Sequence, residues 1–220
     1  MPSNARVSFD RNARDVKRLL EIHADVGGDA KGRRSGLEVL NKSAIVLITA
    51  IWEAYCEDIA SEALQHLVTH APFAASLPTE LKKHIVNDVK ADKNDLAMWD
   101  LADAGWKGRV SARLASITAD RNRRLNTPKS GQIDQLFSSA IGLTSVSDSW
   151  RWRRMSSAQA KAKLDRYVEL RGAIAHRGAG STAVQKWQVE DYFGHVRRLA
   201  GKTGGRVKTH VHGVTGKDLW

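Results

Sequence analysis

The chain has little with which to build several familiar chemistries. Cys56 is the only cysteine among 220 residues, so no internal disulfide can form and a zinc site built on paired cysteines is excluded. The opening MPSNARVSFDRNARD has no apolar core of the kind a secretory leader carries. The longest apolar run, AIVLITAIW, is about half of what a membrane span needs. The Gly-rich stretch GGDAKGRRSG lacks the G-x-x-x-x-G-K-[ST] spacing of a phosphate-binding P-loop. Internal repeats are absent and strand-type alternation is nearly so. These absences predict a soluble, cytoplasmic protein with no membrane partner.

What is abundant is positive charge, +11 overall with a pI near 10.0. It is unevenly placed. Residues 107–220 carry 22 Lys and Arg against 8 Asp and Glu, whereas residues 42–106 carry 5 against 10. A basic excess concentrated in one half suggests a face that meets phosphate, so a nucleic acid is the expected large partner.

Apolar spacing predicts helices nearly throughout. Val16, Leu19, Leu20 and Ile22 lie in a first amphipathic helix over 10–26, with Asp10 as cap and Gly27-Gly28 as stop. From Leu37 to Thr69 apolar residues recur every three or four positions on more than one stripe, as in a helix at the centre of a bundle. Further helices are expected over 79–93, 106–124, a short piece ending near Gly142, 158–175 and 184–200. The segment TSVSDSWRWRRMSS reads as a loop with Trp150 plugging the bundle. The fold class is therefore all-α, with one helical domain over 1–200 and a basic Gly-rich tail over 201–220, read as flexible or as a short hairpin.

The segment YVELRGAIAHRG puts Arg171 and His176 five residues apart at the end of a helix, with Gly178 as its stop. An arginine grips phosphate with a planar fork, and a histidine gives and takes protons near neutral pH. In RNA the nucleophile comes with the substrate, since the 2′-hydroxyl beside the scissile phosphate needs only deprotonation and in-line placement. The pair thus suffices in principle for metal-free RNA cleavage that leaves a cyclic phosphate. Five residues differ by roughly 140° around a helix axis, so convergence needs the helix to end near His176 or two copies to meet across a two-fold axis. An Arg and a His at this place also simply complement the helix dipole.

RGAIAH resembles the R-x-x-x-x-H signature of the HEPN superfamily. ITAIWEAYCEDIA is similar to the central helix of its RiboL-PSP-type branch, and TPKSGQIDQLFSSAIGL followed by SDSW is similar to that branch's middle segment. The resemblance implies a HEPN-like helical bundle with a long central helix and a homodimer that brings two motif helices together. It also implies a metal-independent endoribonuclease of toxin or antiviral-defence type, restrained by a regulatory or antitoxin partner. Arg171 would hold and polarise the phosphate and His176 would act in proton transfer or orient the 2′-hydroxyl, with Glu53, Gly172 and Arg177 as supporting positions. The chain departs from the family at Gly172, where a polar residue, often Asn, is usual. That departure keeps open a non-catalytic module that binds RNA or protein.

Other clusters read less sharply. Glu53 and Glu57, one turn apart, face solvent or pair with cations, and Glu53 can in addition touch Arg171. Arg151, Arg153 and Arg154 beside Trp150 and Trp152, and Arg121, Arg123 and Arg124, combine charges suited to RNA phosphates. His66 and His70 permit metal ligation by spacing but lack the carboxylates or cysteines that would complete a site, and His210 and His212 read as exposed. No metal or other cofactor is expected.

Overall fold

The computed structural model describes residues 1–27, 37–113, 127–177 and 183–220. Their helices are α1 (Asn4–Gly27), α2 (Glu38–His70), α3 (Thr79–Lys90), α4 (described over 106–113), α5 (Ser130–Ile141), α6 (Ser157–Arg177) and α7 (Lys186–Thr215). No strand occurs among the described residues; the nearest approach is an isolated bridge between Trp152 and Met155. The all-α class is what the structure shows.

α2 is central because it is apolar on several sides. Ile45, Ile48, Trp52, Cys56, Ile59, Ala60, Leu64 and Leu67 are all buried, and α1, α5, α6 and α7 pack around it. By length and composition α2 could cross a membrane; here its apolar surface is spent on the other helices. Trp150 is completely buried beside Trp52, with ring centroids 5.7 Å apart, and its indole N–H donates to Thr203 Oγ1 at 2.9 Å.

Three expectations need correction. α1 begins at Asn4, not near Asp10. Ser3 Oγ accepts from the Arg6 N–H, Asp10 pairs with Arg6 instead of capping, and Ala5, Phe9, Ala13 and Val16 form the buried face. α3 ends at Lys90, where Asp92 Oδ1 accepts from the Asn94 N–H and turns the chain. The largest error concerns residues 201–215, which continue α7 rather than forming a loose tail or hairpin. Val196, Leu199, Ala200, Thr203, Val207 and Val211 are buried at helical spacing straight through the glycines. That burial outweighs the poor helix propensity of glycine, about 1 kcal/mol each. His210 is accordingly half-buried, with its ring nitrogen on the Ile141 carbonyl at 2.9 Å, while His212 stays exposed beside Asp218.

α5 ends where the sequence says it should. Gly142 takes a φ of +68°, and a Cβ there would stand 2.6 Å from Pro78 Cβ, so both backbone and space require glycine. At the other end of α5, Asp165 of α6 accepts from the Ser130 N–H and hydroxyl. This contact ties α6, the motif helix, to the start of α5.

Candidate active site

α6 buries Ala160, Leu164, Tyr167 and Val168, and the next step of that stripe is Arg171. Arg171 is therefore half-buried, on the side of α6 that faces the bundle. Its charge acts on two neighbours. One is Glu53 of α2, whose carboxyl is pushed up to about 7 by burial and by the nearby Glu57, with Arg171 pulling in the opposite direction. The other is Tyr192 of α7, a buried phenol raised by burial and eased by its hydrogen bond to Thr49 and by Arg171. Glu57 is buried, not solvent-facing. Three helices thus set the surroundings of one guanidinium.

α6 and α7 run antiparallel there. Tyr167 and Tyr192 stack with centroids 4.4 Å apart, Tyr167 donates to Asp191 at 2.8 Å, and His195 lies 3.0 Å from the Ala160 carbonyl. These contacts fix the rotation of α6 about its axis, and hence where Arg171 points. α6 is helical through His176 to Arg177, the last described residue of this segment; the side chains of His176 and Arg177 lie outside the described residues. With both motif positions in regular helix, they are set roughly 140° apart. Gly172 is open: a Cβ there would meet nothing within 4 Å.

Arg151, Arg153 and Arg154 are exposed. Reciprocal hydrogen bonds between Trp152 and Met155, 3.1 and 2.9 Å, close a tight turn with Arg153 and Arg154 at its tip. Arg154 has a φ of +62°, a left-handed conformation that costs a non-glycine residue of order 1 kcal/mol. The turn faces Arg197, Arg198 and Lys202 of α7 across an open groove. Those three were not singled out in the sequence, although HVRRLAGK carries a visible local signal. Arg121, Arg123 and Arg124 lie outside the described residues. Among the described residues no group of three or more His, Cys, Asp or Glu is placed to hold a metal ion. The His66 and His70 rings pack together at 4.4 Å, and burial with the His70 charge holds His66 below its usual range.

Residues 10–204 match the family model described as RiboL-PSP-HEPN. The chain belongs to the RiboL-PSP-HEPN family. No curated protein and no solved structure matches it. The match runs from within α1 to within α7, so Glu53, Arg171 and Tyr192 all fall inside the RiboL-PSP-HEPN domain. It also reaches past residue 200, in keeping with a helix that does not stop there.

Proposed function

We propose that this RiboL-PSP-HEPN protein is a metal-independent endoribonuclease. The observation that carries the reading is Arg171, half-buried on the face of the motif helix turned to the bundle, where its charge acts on Glu53 of α2. A guanidinium fixed in this way can hold a phosphate and stabilise the negative charge that builds on it during attack. His176, one and a half turns further on, supplies proton transfer. The RNA 2′-hydroxyl loses its proton and bonds to phosphorus, the bond from phosphorus to the 5′-oxygen breaks, and that oxygen takes up a proton. The products carry a 2′,3′-cyclic phosphate and a 5′-hydroxyl.

The angle between the two motif positions favours a homodimer, with each site assembled from Arg171 of one copy and His176 of the other. A nuclease of this kind harms its own cell unless restrained, which fits a toxin or defence role with a regulatory partner. Arg171→Ala and His176→Ala should each abolish cleavage while circular dichroism stays helical. Cleavage by both variants at the wild-type rate would refute the assignment. Gly172 favours one other reading, a module that binds RNA without cutting it. That reading predicts salt-sensitive binding and intact RNA after long incubation.

A further inference from the structure

We propose that the groove between the 152–155 turn and α7 is a binding subsite for single-stranded RNA, set apart from Arg171. Trp152, Arg153, Arg154, Arg197, Arg198 and Lys202 line it, around a volume of about 660 Å³. It rests on RNA being the substrate of the Arg171 site, and adds where the rest of the strand lies.

Four observations carry it. None of the five cations forms an ion pair with a described residue, whereas Lys161, Lys163, Arg109 and Arg113 are each matched to an aspartate. Five such charges along one open groove suit a chain of phosphates better than a single anion. Arg198 lies over the Trp152 ring at 5.7 Å, and His195 supports that ring at 5.5 Å, which aligns the guanidinium with the groove wall. Arg154 occupies a left-handed position at the turn tip where glycine would sit without strain, as expected of a side chain kept for use. Gly201 lies exposed on the groove floor, and a Cβ there would meet nothing within 4 Å. Packing does not call for that glycine, in contrast to Gly204, whose Cβ would stand 2.7 Å from the Tyr55 hydroxyl. Bare backbone on the floor instead lets a strand approach closely.

The 152–155 turn that walls the groove leads directly into α6 at Ser157, and Arg171 lies fourteen residues further along, roughly 20 Å at the helical rise. One RNA strand of several nucleotides can span both places. The groove would then hold RNA while Arg171 and His176 cut it, and would favour strands over very short fragments.

The test is fluorescence anisotropy with a labelled single-stranded 12-mer RNA and full-length protein carrying His176→Ala to prevent cutting. Arg198→Gln with Lys202→Gln should weaken binding roughly ten-fold or more near 0.1 M salt, and should lower the slope of log affinity against log salt by about 1.4. Arg154→Gly should weaken binding while raising the melting midpoint by about 2 °C. Arg11→Gln with Arg14→Gln, an equal loss of charge on the exposed side of α1, should do neither. Equal weakening by the α1 pair, or unchanged affinity and slope in the groove pair, would overturn the proposal. The two readings separate cleanly. Wild-type protein that cuts RNA while the groove variants bind like their parent sinks the groove alone; groove-dependent binding without cleavage by the wild type sinks the nuclease alone.

Discussion

Replacing Glu53 with glutamine should make this protein more stable at pH 8 and worse at its task. Burial and Glu57 raise the Glu53 carboxyl from 4.5 to about 7, so the folded state prefers it protonated. The stability this lends is fully present below pH 4.5, the unfolded value, and is lost as pH rises through 7. In full the rise corresponds to about 3 kcal/mol; because the group is only half-buried, solvent screening reduces this to about 1–2 kcal/mol. The amide of Glu53→Gln would mimic the neutral carboxyl at every pH. The variant should therefore match the wild type near pH 4.5 and exceed it at pH 8 by about 1–2 kcal/mol, or roughly 3–6 °C in midpoint. Thermal melts at both pH values read this directly. Arg171→Ala should act in the opposite sense on the carboxyl itself, raising it further because the one nearby cation that lowers it is gone. A Glu53→Gln protein no more stable than wild type at pH 8 would show that burial does not favour the neutral carboxyl at Glu53. If its cleavage rate also falls, the raised carboxyl is kept for Arg171 and not for the fold.

Gly172→Asn, which restores the polar residue usual in the family, has room for its side chain and should gain a few tenths of a kcal/mol in helix propensity; it should cleave RNA at least as fast as wild type, and a slower variant would show that Gly172 suits this site. Deleting residues 201–220 removes buried Thr203, Val207 and Val211, each valine contributing about 1.5–2 kcal/mol, and should leave a chain that no longer melts cooperatively. A truncated protein with a wild-type midpoint would restore the reading of a loose tail. His195, buried on the Ala160 carbonyl, is held down at about 4. The unfolded chain binds that proton below pH 6.5 and the folded one does not, so His195 lowers stability as pH falls from 6.5 to 4. Its effect opposes that of Glu53 over much the same range. Wild-type stability should therefore vary less with pH than that of Glu53→Gln, whose curve should fall more steeply toward acid in urea titrations.

The elements that were legible in the sequence are those whose signals agree. α2 shows apolar residues on every side, α5 ends on a glycine that geometry demands, and Trp150 lies among polar neighbours yet fills the core. The end of α7 is harder to read, because its glycines argue against helix while the apolar spacing of Val207 and Val211 continues unbroken from Val196. The start of α1 was missed because alanines carry half of its buried face, and alanine is a weak periodic marker. In the site, Arg171 was found from one local motif. The state of Glu53 was not legible, since it depends on how deeply α6 and α7 press against α2. The charges of HVRRLAGK are plain in the sequence, but the groove they line is not, since it depends on the 152–155 turn lying opposite α7.

Metal-free cutting of RNA by Arg171 and His176 is the proposal on which the groove and the Glu53 predictions converge. Its most direct test is incubation of purified protein with a mixed-sequence RNA in EDTA, beside His176→Ala, with the 3′ ends of the products analysed. The expected result is cleavage by the wild type alone, leaving cyclic phosphates. Intact RNA in both tubes, or equal cleavage in both, would contradict it.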